Sequence, residues 1–217
     1  MRPTTARAVH GVVAVVTAVA VLWQLALIVN GEAVLNETAR PDLAVRLARF
    51  VSYFTILSNL LVLGCSVVLA VDPLHDGPRW RLVRMATMVG ITVTGVVHWF
   101  LLRPLLDLSG GSYVVDKLLH VVVPVLALVA WVVAGPRGQA ARPQVLGALA
   151  WPLLWGALTL VRGSVTGWWP YPFIDVDELG WGRVLLNLLG VAVLFGACGF
   201  AFVAADRTLA RRSPRSA

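Results

Sequence analysis

Six apolar runs, each close to the length that crosses a lipid bilayer as a helix, decide what this chain can fold into. They lie near Val9–Val29, Phe50–Val71, Leu82–Leu102, Val114–Ala134, Gln144–Val161 and Arg183–Ala204. About 20 residues rising 1.5 Å each span the hydrocarbon core. Breakers punctuate the gaps: Asp72-Pro73 and Gly77-Pro78, Gly110-Gly111, Gly135-Pro136, and Gly167 through Pro172. Charged residues make up 13% of the 217, against roughly 25% in a soluble domain. So few charges cannot cover a water-soluble surface, and the apolar surplus must face lipid. The expectation is an all-α polytopic membrane protein, a single six-helix transmembrane domain over residues 1–217.

The net charge of +7 would suggest nucleic acid in a soluble protein. Here the bases sit in short loops between apolar runs, so they read as topology signals and no nucleic acid is expected. An even number of spans puts both termini on one side. That side carries eleven of the eighteen bases: Arg2, Arg7, Arg79, Arg81, Arg84, Arg137, Arg142, Arg207, Arg211, Arg212 and Arg215. The expected location is the cell membrane, with both termini cytoplasmic. The first run follows Arg2 and Arg7 like a signal peptide, but its apolar stretch continues through Leu22, Leu25 and Ile28. It reads as a retained first helix. Cys65 and Cys198 fall inside apolar runs and read as buried hydrophobes rather than a disulfide or a metal site. The sequence contains no Gly-rich phosphate loop, no Cys-x-x-Cys pair and no carboxylate-rich metal site, so neither a cofactor nor a metal is expected.

Any chemistry then falls to the few polar residues inside the spans, where ionisable groups are costly. His98 on the third run, His120 on the fourth and Thr55 on the second all fall about 6–8 Å to the same side of their span centres. Ser52, Thr55, Ser58 and Asn59 share a helix face by i, i+3 and i+4 spacing. Thr87, Thr94 and His98 share another. Asp116 lies four residues before His120, and Asn187 sits in the outer part of the sixth run. Pro124 should kink the fourth helix beside His120. Ser and Thr also serve as packing residues between membrane helices. A depth-matched Thr55, His98 and His120 therefore predicts one polar site lined by three helices.

Two segments resemble a known family. One is Phe54-Thr55-Ile56-Leu57-Ser58-Asn59-Leu60-Leu61, with Leu118-Leu119-His120 and Pro124 two helices later. The other is Trp168-Trp169-Pro170-Tyr171-Pro172-Phe173-Ile174-Asp175 before the last helix. With six spans, the chain resembles the androgen-induced and androgen-dependent membrane protein family, including its actinobacterial branch. The resemblance implies a threonine hydrolase of fatty acid esters of hydroxy fatty acids, with Thr55 as the nucleophile and His120 as its essential histidine. A threonine hydroxyl needs an adjacent base, and a neutral imidazole can take its proton. Asn59 and His98 are expected as donors to the developing oxyanion, and Asp116 as an orienting partner of His120. A lipid ester would enter from the bilayer. The Tyr171-Pro172-Phe173 loop reads as an interfacial turn, with a lid as the other reading. Two further functions compete. One is a lipid-binding or transport protein without turnover. The other is a haem or quinone protein using His98 and His120 as axial ligands.

Overall fold

A computed structural model describes residues 3–32 and 41–212. The described residues are helical, with no strand, and six helices among them are long and apolar enough to cross a membrane. These are Pro3–Asn30, Phe54–Val71, Pro78–Leu105, Gly110–Ala134, Arg142–Thr166 and Val176–Arg211. The chain is a multi-pass membrane protein of the all-α class. Of the eleven bases named for topology, Arg2 and Arg215 lie outside the described residues.

In detail the elements are α1 (Pro3–Asn30), α2 (Leu43–Phe50), α3 (Phe54–Val71), α4 (Pro78–Val97), α5 (Gly110–Lys117), α6 (Val123–Ala134), α7 (Arg142–Ala148), α8 (Ala150–Thr166) and α9 (Val176–Arg212). A π turn at His98–Leu102 and a 3-10 turn at Arg103–Leu105 extend α4, and a π turn at Leu118–Val122 joins α5 to α6. Two compact units emerge: Met1–Asp76 with Ile91–Pro136, and Gly77–Gly90 with Arg137–Ala217.

Within the first unit, α1 lies along α3 and also meets α6. Its buried face runs Ala6, His10, Val13, Ala14, Thr17, Ala20, Val21, Leu27 and Ile28. The alanines let the neighbouring backbone approach closely, as membrane helices require when no hydrophobic effect drives them together. The opposite face exposes Val12, Val15, Val19 and Leu22. Both faces are apolar, which a water-soluble amphipathic helix would not show.

The second run departs from its expected Phe50–Val71 bounds. The chain leaves α2 at Phe50, passes through Val51, Ser52 and Tyr53, and starts a new helix at Phe54. Ser52 is therefore not on the α3 face predicted for it, and its hydroxyl returns to the Ala48 carbonyl at 2.5 Å. Thr55 sits in the first turn of α3 rather than about five residues from a helix centre. The sequence signal for this break is Pro41-Asp42 followed by Leu43, Leu47 and Phe50 at helical spacing, with Arg46 and Arg49 between them. Arg46 turns back to donate to the Ile28 carbonyl and, at 3.3 Å, to that of Val29, covering the open end of α1.

In the second unit, glycines set the helix contacts. A Cβ on Gly199 would meet the Val145 side chain at 2.6 Å, and one on Gly147 would meet Leu82 at 2.7 Å. Gly163 of α8 lies under the Trp169 ring, where a Cβ would fall 2.2 Å from the indole. Asp206, almost fully buried, accepts from the Gly138 N–H at 3.2 Å and the Ala140 N–H at 2.9 Å. Arg84, counted above as a topology base, is buried and donates to Gln139 at 2.7 Å. Both contacts hold the turn ahead of α7. Within the sixth span, Gly180 has a φ of 74° and interrupts the helix that begins at Val176.

Candidate functional site

Three spans converge inside the first unit. Thr55 Oγ1 lies 3.2 Å from His120 Nε2. The His120 ring stacks on that of His98, with centroids 3.8 Å apart and planes 12° from parallel. Thr55 and His98 are buried, and His120 is mostly so. Residues singled out on three helices are thus linked in turn, Thr55 to His120 and His120 to His98.

The other nitrogen of His120 fixes its tautomer. Nδ1 stands 3.0 Å from the Asp116 carboxylate and 3.0 Å from the Asp116 backbone carbonyl. An ionised carboxylate and a carbonyl both only accept, so Nδ1 must carry the hydrogen. In a neutral imidazole that leaves Nε2 with a lone pair facing Thr55, and the threonine hydroxyl is the donor of that bond. Asp116 is buried as well. Its Oδ2 takes a 2.7 Å bond from Lys117, whose charge balances the carboxylate. His98 Nε2 stands 3.4 Å from the same oxygen, outside hydrogen-bond alignment.

Both histidines belong to π turns, a local widening seen often at functional sites. In the third span the Arg103 N–H reaches back five residues to the His98 carbonyl, and in the fourth the Val123 N–H does the same to Leu118. Each turn ends two residues before a proline, Pro104 or Pro124. Proline has no N–H to continue the α-register, and the extra residue accommodates this while re-aiming the histidine. The expected distortion at Pro124 takes this form. The prolines were the only sequence signal, and they could not specify a π turn over a simple kink. Gly95 lets the third span approach this turn, since a Cβ there would lie 3.2 Å from the His120 carbonyl oxygen.

Asn59 and Ser58 are fully buried one turn further along α3. Asn59 is not free to serve an oxyanion as expected: its amide donates to the Thr55 carbonyl at 2.8 Å and the Leu119 carbonyl at 3.3 Å. The geometry does not bring His98 to that role either, because its Nε2 faces Asp116 and not Thr55. Ser58 lies on the same helix without a hydrogen bond among the described residues.

Tyr171 and Asn187 lie in the second unit. Tyr171 is buried, stacked on Phe173 with centroids 5.4 Å apart and tilted against Trp155 at 5.9 Å. Asn187 donates to the Phe173 carbonyl at 2.8 Å, and Trp169 donates to Asp177 at 2.8 Å. These contacts pin the loop to its own unit and give both residues a packing role.

His98, Asp116 and His120 present three ligand atoms within 4.8 Å of one another, which raises the question of a metal. A ring nitrogen binds an ion along a lone pair in the ring plane, at about 2 Å. Two nearly parallel rings stacked face to face cannot direct both lone pairs at one such point, and Lys117 already supplies Asp116 with a cation. The donor set as arranged does not fit a metal ion. Nor does it fit a bis-histidine haem, whose axial rings stand on opposite faces of the macrocycle. The arrangement fits proton transfer between a hydroxyl and an imidazole held by a carboxylate. Compared with family models, curated proteins and solved structures, the chain shows no match.

Proposed function

We propose that this chain is a membrane-embedded hydrolase of lipid carboxylic esters that works through an acyl-threonine intermediate. The observation that carries the reading is the line from Thr55 Oγ1 to His120 Nε2 at 3.2 Å and from His120 Nδ1 to Asp116 at 3.0 Å. Nucleophile, base and orienting group stand in the order that defines hydroxyl-based acyl transfer on unrelated folds.

In the first half-reaction, Thr55 Oγ attacks the ester carbonyl as His120 Nε2 takes its proton. Collapse of the tetrahedral intermediate passes that proton to the leaving alcohol. In the second, His120 draws a proton from water as its oxygen attacks the acyl-threonine. The fatty acid leaves and the proton returns to Thr55. Because Thr55 lies in the first turn of α3, the positive end of that helix favours the negative charge that develops on the carbonyl oxygen. This takes the place of the donor role first expected of Asn59. Lys117 and Asp116 together give the imidazolium a neutral but polar setting.

A buried site among lipid-facing helices suits a substrate that partitions into the bilayer. The family resemblance narrows this to fatty acid esters of hydroxy fatty acids. The base asymmetry supports a cell-membrane protein with both termini in the cytoplasm. The test is a fluorophosphonate probe on purified protein, with Thr55→Ala as the control, followed by lipid-ester hydrolysis. Labelling of Thr55 that vanishes in Thr55→Ala supports the hydrolase. Undiminished labelling or turnover in Thr55→Ala refutes it, and lipid binding with no covalent step identifies a carrier instead.

A further inference from the structure

A π turn solves one backbone problem and creates another. With bonds running from residue i to i+5, the Leu118 carbonyl is satisfied by the Val123 N–H. The next carbonyl, Leu119, would take its bond from residue 124. Residue 124 is proline and has no N–H to give. A buried carbonyl left unbonded is costly, more so at membrane depth where water does not reach it. Asn59 supplies the missing donor from a different helix, at 3.3 Å.

The second hydrogen of the same amide goes to the carbonyl of Thr55, at 2.8 Å. Asn59 is fully buried, and turning its amide over would set Oδ1 against two carbonyl oxygens, so the orientation is determined. One planar amide therefore bonds the backbone of the residue carrying the hydroxyl and the backbone of the residue preceding His120. We propose that Asn59 is a positioning residue that sets the Thr55–His120 distance, by clamping α3 to the π turn that Pro124 leaves short of a donor. This rests on the hydrolase reading for its catalytic consequence, while the clamp itself does not.

The experiment uses Asn59→Leu, Pro124→Ala and the double variant in the full-length purified protein. Leucine keeps the volume and removes both donors. Misplacing a reacting group by about 1 Å costs on the order of 100-fold. Asn59→Leu should accordingly lower Thr55 labelling and kcat by about 100-fold, with KM little changed, while the protein stays folded. Alanine at 124 brings a backbone N–H back to the π turn. It should raise Tm in the Asn59→Leu background and leave Tm unchanged or lower in the parent, and this coupling remains measurable if Asn59→Leu is poorly stable. Strictly additive Tm effects, or parental labelling and kcat in a folded Asn59→Leu, would overturn the proposal. Absence of any Thr55 labelling in the parent would instead overturn the hydrolase reading, and the Tm coupling would still decide whether the clamp exists.

Discussion

Asp116→Asn separates the contribution of the carboxylate from that of the backbone beside it. In hydroxyl–histidine–carboxylate sites, removing the carboxylate's charge can cost about ten-thousand-fold, because the imidazole adopts the wrong tautomer. Here the tautomer has two keepers. The Asp116 backbone carbonyl lies at the same 3.0 Å from Nδ1 as the carboxylate, and it survives the substitution. What is lost is attraction between the carboxylate and the imidazolium formed in the transition state. At 3.0 Å and an effective dielectric of about 20 that attraction is about 5 kcal/mol. Asparagine keeps a neutral Oδ1 that still accepts from Nδ1–H and returns about half of it, leaving about 2–3 kcal/mol, or roughly 30- to 150-fold in kcat. Lys117, 2.7 Å from the other carboxylate oxygen, acts on the imidazolium in both proteins and cancels from the difference. The assay is single-turnover acylation and steady-state hydrolysis of a long-chain ester, beside a melting curve. A loss as deep as that of Thr55→Ala would show that the backbone carbonyl does not hold the tautomer. No loss would show that Asp116 plays no part in orienting His120.

Thr55→Ala removes one hydroxyl and one methyl from a buried site, so stability should fall by about 1–2 kcal/mol while hydrolysis falls about ten-thousand-fold or more. His120→Ala should match it, the double variant should be scarcely worse than either, and Thr55→Ser should keep part of the turnover; near-additive losses would contradict a shared step. Gly163→Ala would drive a methyl into the Trp169 ring, where the gap is 2.2 Å, and thermal unfolding should show about 1–3 kcal/mol of destabilisation. Topology can be read with a cysteine at exposed Glu178, since Tyr171 is too buried to label. An impermeant maleimide should reach it from outside intact cells, and labelling only after the cytoplasmic side is opened would reverse the orientation.

The membrane class, the helical fold and the approximate positions of six spans were legible from the sequence. Each depends on a property summed over about 20 neighbouring residues, and lipid imposes that sum on any spanning helix. Polar side chains are rare in such runs, so Thr55, His98, His120 and Asp116 stood out individually. Register along each apolar run was the reason to expect the first three near one another, but that reckoning placed Thr55 closer to a helix centre than the start of α3 at Phe54 allows. Their roles were less legible. Hydropathy says little about which way a helix is rotated, so it could not show that Asn59 spends its amide on two carbonyls, or that His98 faces Asp116 instead of Thr55. The apolar run from Phe50 hid the break at Val51–Tyr53, because the residues on both sides suit a membrane boundary equally well. The two prolines announced distorted helices. Whether distortion became a kink or a π turn depended on what the neighbours offered: Gly95 leaving room at the His120 carbonyl, and Asn59 donating to the carbonyl that Pro124 cannot serve. Those partners come from other helices, and only the packed structure brings them within hydrogen-bond distance.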